Sequence, residues 1–280
     1  AYRPPLPGAA FDLQILDQTA YVIAALLGLY TVDVSNPNEP FELGTDTSRI
    51  HGGLRTPRAL VVREALAYIV DINNGLRNYD VSNQSNPQEI GILEKPQEMT
   101  DIVVDGPYAY ISVQDHTTGG DRSLRVVDIS NPSNPVEISM LPLSNNTLAL
   151  AKYQDLIVLP DALEIMESGK NTFLHLVDVT NPSNPTQAGE LDTTNLAPNA
   201  MSLIIHDHYI YLGDSQNGLH VIDISDPVHP RWVGSLPDLV MVYDLAIAGD
   251  KLFTASYAWV TMLDISKPSL PVLKDVYITS

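Results

Sequence analysis

Six near-copies of one decapeptide run through the 280 residues and leave few folds open: TVDVSNPNEP (31–40), NYDVSNQSNP (78–87), VVDISNPSNP (126–135), LVDVTNPSNP (176–185), VIDISDPVHP (221–230) and MLDISKPSLP (262–271). Their aspartates, Asp33, Asp80, Asp128, Asp178, Asp223 and Asp264, recur every 41–50 positions. A fixed period in this range marks a repeat architecture, in which one supersecondary unit is copied and stacked. Two apolar runs precede each copy, as in DIVVDGPYAYISV (101–113), where Gly-Pro splits β-branched and aromatic stretches. Another run follows, as in VEISML (136–141). Each unit therefore reads strand a, tight turn, strand b, loop, strand c, D-hydrophobic-S/T-N-P-x-x-P, strand d. Four antiparallel strands per unit of about 45 residues predict an all-β chain, a six-bladed β-propeller of four-stranded antiparallel blades. Residues 1–10, with Pro4, Pro5 and Pro7, read as a proline-rich arm, and 11–280 as a single propeller domain.

The decapeptide itself reads as a corner between strands c and d. Its Asp can accept backbone N–H groups two residues on, while the two prolines fix φ and cannot donate to a ladder, so the chain turns before strand d. Six metal or nucleophile sites are the competing reading, and recurrence in every unit favours the structural one. An early stretch, AYVIAALLGLY (20–30), has the look of a helix, but it aligns with AYIVDINNGLR (67–77) and is expected to form a hairpin.

The runs LRVVDIS, LHLVDVT and LHVIDIS, each followed by NPxxP or a close variant, resemble the LVIVD-repeat family. The resemblance extends over all six units, from about residue 11 to 278, and departs most in SKPSLP, which lacks the Asn. It implies a β-propeller in an extracytoplasmic setting, at the cell surface, in the periplasm or secreted, and it supplies no catalytic residues.

Composition narrows the partners. Lys+Arg is 15 against Asp+Glu 34, a formal charge of −19, which sets the chain against nucleic acid and anionic membranes and favours cations, basic partners and solubility. There is no cysteine, so disulfides, thiol nucleophiles and thiolate metal sites are excluded, while the compartment stays open. No apolar run approaches a membrane span, so no membrane insertion is expected. The first residues lack the charged-then-apolar order of a signal peptide, and a start at Ala1 suits a processed, exported protein.

Function is sought where the units differ, since loops on a rigid scaffold carry binding. In a propeller the b–c and d–a loops share one face. Units 2 and 5 have short b–c connections, DINNG (71–75) and DSQNG (214–218), whereas units 3 and 4 carry QDHTTGGDRS (114–123) and PDALEIMESGKNT (160–172). The d–a segment DTSRIHGGLRTPR (46–58) gathers Arg49, His51, Arg55 and Arg58, a set suited to an anion or an acidic surface. With Asp115, His116, Asp121, Asp161 and Glu164 these form the candidate ligand or partner residues, biased toward units 2 to 4.

Strand c opens three residues before the corner Asp with Tyr30, Arg77, Arg125, His175, His220 and Thr261. Asp71 and Asp214 stand six positions before Arg77 and His220, where a short hairpin places opposite charges side by side. Alignment puts Asp12, Ala59, Asp101, Leu148, Ser202 and Asp244 first on strand a, which lines the channel. Asp12, Asp101 and Asp244 are therefore candidate Ca²⁺ ligands, with bonds to neighbouring amides as the simpler reading. The seven histidines make no zinc pattern, and G-x-S-x-G, P-loop and H-E-x-x-H motifs are absent. The expected function is an extracytoplasmic module that binds a protein partner, assembly neighbour or ligand. The alternative is a metal-assisted hydrolase or oxidase at the channel mouth.

Overall fold

A computed structural model describes residues 9–24, 28–46, 56–72, 74–95, 98–114, 120–162, 171–239 and 241–278. The first blade is β1 to β4 (Ala10–Leu16, Thr19–Ala24, Gly28–Asp33, Phe41–Asp46), the second β5 to β8 (Pro57–Arg63, Leu66–Asp71, Gly75–Asp80, Gln88–Leu93), and the third β9 to β12 (Glu98–Asp105, Tyr108–Gln114, Ser123–Asp128, Val136–Pro142). The fourth is β13 to β16 (Ala151–Tyr153, Leu156–Pro160, Phe173–Asp178, Thr186–Asp192), the fifth β17 to β20 (Ala200–His206, Tyr209–Asp214, Gly218–Asp223, Arg231–Leu236), and the sixth β21 to β24 (Asp244–Ala248, Lys251–Ala255, Trp259–Asp264, Val272–Ile278). Each sheet pairs its strands in chain order and takes all four from contiguous sequence, as the six blades of a β-propeller. The helix-like stretch 20–30 supplies β2 and β3, as its alignment with unit 2 requires.

Two compact units, Ala1–Ser139 and Met140–Ser280, hold three blades each, with β12 running across the division. In the first unit β1 lies against β5 and β5 against β9; in the second β13 lies against β17 and β17 against β21. Strands b and c are the inner members of each four-stranded sheet and carry most of the buried residues. One core layer packs Tyr21, Ile23 and Leu29 of blade 1 on Leu60, Val62, Ile69 and Tyr79 of blade 2. Another packs Val70 and Leu76 on Ile102, Ile111 and Val127 of blade 3. The second unit repeats the arrangement, with Val158 and Leu174 on Leu212 and Ile222, then Tyr211 and Val221 on Leu252 and Leu263.

The corner aspartates do what their sequence position requires. Oδ1 of Asp33, Asp80, Asp128, Asp178 and Asp223 each accepts the amide two residues on at 2.8 Å, and Asp264 does so at 3.0 Å. The hydrophobe after each Asp points inward, and its N–H donates to the a–b turn of its own blade: Val34 to Gln18, Val81 to Ala65, Ile129 to Pro107, Val179 to Asp155, Ile224 to His208 and Ile265 to Asp250, all at 2.8–2.9 Å. Those turns have positive φ at their first residue, 52–57° at Asp17, Glu64, Gly106, Gln154, Asp207 and Gly249. Pro107 at the second turn position forbids positive φ there, which fits a II′-type turn.

A small residue in strand d explains why the corners repeat so closely. A Cβ added to Gly44, Gly91, Gly189 or Gly234 would come within 2.1–2.6 Å of backbone in the next blade's corner, at Ser85, Pro132, Pro227 and Ser269 respectively. The corner thus seats directly on the preceding blade. Thr31 Oγ1 donates to Gln84 O at 2.5 Å and Asn78 Nδ2 to Pro132 O at 2.8 Å across the same contacts.

Candidate functional site

On the side opposite the corners, the b–c loops of blades 2, 4 and 5 meet the d–a loops that lead into those blades. Ile72 N donates to Thr56 O, Ala162 N to Asn146 O and Ser215 N to Asn199 O, at 2.8–3.2 Å. A carboxylate ending strand b secures each meeting. Asp71 accepts Thr56 N at 3.1 Å and Asn74 Nδ2 at 3.0 Å. Asp214 accepts the amides of Asn199, Gln216 and Asn217 at 2.6–2.7 Å. Asp161 accepts Asn145 Nδ2 at 2.7 Å and Phe173 N at 2.9 Å, and its other oxygen lies 3.1 Å from His175 Nε2. The three are at most 1% exposed. Such buried anions persist because several donors converge on each. Gln114 takes this position in blade 3 and donates to Glu98 Oε2 at 3.1 Å.

At the strand c position three residues before the corner Asp, Arg77 and Arg125 pair within their own blades. Arg77, fully buried, contacts Glu89 through Nη1, and Glu89 also accepts the Tyr79 hydroxyl at 3.3 Å. Burial raises the Tyr79 pKa, so the phenol stays a donor. Arg125 meets Glu137 at 2.6 Å and Ser123 Oγ at 3.0 Å, and contacts Asp121 through Nη2. The expected side-by-side pairing with Asp71 and Asp214 is not how these groups are arranged. Asp71 and Asp214 register with Gly75 and Gly218, whereas Arg77 and His220 register with Ile69 and Leu212, so the charges are only diagonal neighbours. Asp214 is engaged by amides, and His220, 5% exposed, makes no side-chain hydrogen bond and has only the Asn217 backbone beside its ring as a polar contact. Burial holds the His220 pKa below its ordinary value, opposed in part by the Asp214 charge.

Of the sequence candidates, Asp161 and Asp121 are thus tied into the scaffold, and Arg58 is exposed on β5. Arg49, His51, Arg55, Asp115, His116 and Glu164 lie outside the described residues. Asp12, Asp101 and Asp244 each accept the amide of the next residue at 2.7–2.8 Å, and Asp12 also takes Leu60 N of blade 2 at 2.8 Å. Among the described residues no three Asp, Glu or His side chains gather around a metal position. Leu148 falls ahead of its strand, because strand a of blade 4 is only Ala151–Tyr153.

One rim feature was missed. In blade 6 the d–a loop and b–c turn carry Met241, Tyr243, Tyr257 and Trp259, 41–86% exposed, where blades 2 and 5 have polar b–c turns. The contrast of YAW (257–259) with INN (72–74) and SQN (215–217) was the available signal.

A family model described as LVIVD repeat matches residues 7–47, 56–94, 98–141, 169–193, 197–238 and 241–279. No curated protein matches the chain. Among solved structures, the computationally designed Ika8 protein is similar over 96% of this chain and 74% of its own, with 14% identity and a TM-score of 0.68. A functionally unknown protein from Desulfotomaculum acetoxidans DSM 771 is similar over 94% and 80%, with 10% identity and a TM-score of 0.74. Likeness at these identities establishes the fold alone.

Proposed function

The chain belongs to the LVIVD-repeat family, and from that premise we propose that it is an extracytoplasmic β-propeller that binds a protein partner, assembly neighbour or ligand through its b–c and d–a rim. The observation that carries this reading is the buried carboxylate at the end of strand b. Asp71, Asp161 and Asp214 tie the described ends of the rim loops of blades 2, 4 and 5 to the scaffold, while the loops differ in length and sequence. Loops fixed before a partner arrives lose less conformational freedom on binding, which is how a propeller turns a rigid frame into affinity. The net charge of −19 favours a basic partner over nucleic acid, and no described helix is long and apolar enough to cross a membrane. The extracytoplasmic setting rests on the family resemblance.

Photo-crosslinking tests the choice of face. A benzophenone side chain at Arg58 or Asp121 on the rim, and at Ser133 or Asn184 in the corners, is irradiated in cells of the native host, followed by fractionation. The rim positions are expected to yield a discrete adduct in the extracytoplasmic fraction and the corner positions none. Adducts from the corners alone would move binding to the opposite side.

A further inference from the structure

Met241, Tyr243, Tyr257 and Trp259 form one continuous rim surface. Tyr243 N donates to Ala255 O at 2.9 Å, and Ser256 N donates to Trp259 O at 2.9 Å, so Tyr243 and Trp259 both stand against Ser256 with Tyr257 at the turn tip. Met241 N and Val242 N reach Ser215 O and Asp214 O at 3.2 and 3.3 Å, which joins this surface to the b–c turn of blade 5. The four side chains are 45%, 41%, 86% and 41% exposed, while Tyr21, Tyr68, Tyr110 and Tyr211 on strand b are all 5% or less. Met241 is held at φ 61°, a left-handed conformation unfavourable for a side chain of its size, and such strain gathers at ligand-contacting positions. Ser256 Oγ is occupied by Trp259 O at 3.1 Å, and Asp244 Oδ1 by Leu245 N at 2.8 Å. What the surface offers is therefore aromatic faces, two phenol hydroxyls and an indole N–H.

That chemistry suits an extended proline-rich segment. A polyproline II chain makes no internal hydrogen bonds, its carbonyls point outward to accept from Tyr and Trp, and its pyrrolidine rings lie on aromatic faces. The chain has one segment of this composition, AYRPPLPG (1–8), whose three prolines favour that conformation. Its single charge is Arg3, in a protein of net charge −19, and Asp238 and Asp244 are exposed on either side of the Met241–Tyr243 stretch. We propose that the aromatic rim of blade 6 receives residues 1–8 of a second copy of this chain, which makes it an assembly contact. This deepens the reading of the rim as a binding surface and rests on it.

The test uses sedimentation of the full chain and peptide titration. The weight-average mass is expected to rise with concentration and to return to the monomer on removal of residues 1–8 or on Tyr257→Ser, with the melting temperature unchanged. Trp259 reports directly in a Trp232→Phe background, since the chain has only two tryptophans. The peptide AYRPPLPG, added to that variant lacking 1–8, is expected to shift Trp259 emission saturably, whereas AYRAALAG binds at least roughly tenfold more weakly, the loss expected on removing hot-spot contacts. A chain monomeric at all concentrations, an assembly indifferent to removal of 1–8, or equal binding of the two peptides would overturn the assignment. Crosslinking at Arg58 and Asp121 reads blades 2 and 3 independently, so failure here leaves the wider reading of the rim separately judged.

Discussion

The two ends of each blade obey different rules. At the corner end all six blades use the same Asp-to-amide bond, the same bond from the next residue to the a–b turn, and in four blades a glycine that admits the following corner. At the rim end the blades diverge: Asp71 takes a threonine amide and an asparagine side chain, Asp161 an asparagine and a histidine, Asp214 three amides, while blade 3 has Gln114 and blades 1 and 6 have Ala24 and Ala255 there. The difference teaches where repetition is compulsory. A corner must fit backbone to backbone against its neighbour, which tolerates little variation, whereas a rim loop need only satisfy its own donors.

Forcing a side chain into a corner contact challenges that contrast most severely. Gly91→Val places carbon 2.1 Å from Pro132 O, and backbone cannot yield as a side chain does. A loss of about 3 kcal/mol is expected from such overpacking. Gly106→Ala is the control, since no atom lies within 4 Å of the added carbon and only its φ of 53° resists, at about 1 kcal/mol. Chemical denaturation of both measures the difference, and equal losses would remove the inter-blade explanation. At the rim, Asp214→Ala strips three amides of their acceptor and is expected to cost about 2 kcal/mol. If it costs nothing, the rim is not held by its carboxylates.

Acid separates the two ends by where stability is lost. The corner carboxylates sit below their ordinary pKa because a Ser or Thr hydroxyl and amide face them, Asp264 at about 2. A depressed carboxyl stabilises fully above its unfolded value, and that contribution fades as pH falls from about 4 through the folded values. His220 is buried and its pKa is lowered, so the unfolded chain takes up the proton first, and stability declines as pH falls below the ordinary histidine value of 6.5. Melting curves from pH 8 to 2 should show both limbs, and His220→Leu should erase only the upper one. The mildest change is Asp128→Ala: its bond to Ser130 is exposed, so the melting temperature should fall by about 2 °C, in line with a sub-kcal loss in a chain of this size.

How much was legible in the sequence follows the same division. Asp128, Pro132 and Pro135 disclosed their roles because an Asx turn and a fixed φ act within a few residues. The hairpin at 20–30 was legible only because the second unit carries a less ambiguous copy. Pairing of Asp71 with Arg77 misled because counting along a hairpin gives sequence distance, while the side-chain register places Arg77 opposite Ile69. Strand a of blade 4 was misaligned because Asn145, Asn146 and Thr147 fold inward, 1–3% exposed, and shorten it. For Asp12, Asp101 and Asp244 the simpler of the two readings was legible, since each accepts the amide of the next residue.

Replacing residues 116–119 and 163–170 by Asn-Gly turns, in one variant that keeps Asp121 on Arg125 and Ala162 on Asn146, tests the division between scaffold and rim most directly, by its melting temperature read beside capture of the partner crosslinked at Arg58 or Asp121. The account predicts melting within about 2 °C of the parent and capture abolished. A variant that melts far lower, or one that melts normally and still captures the partner, would contradict it.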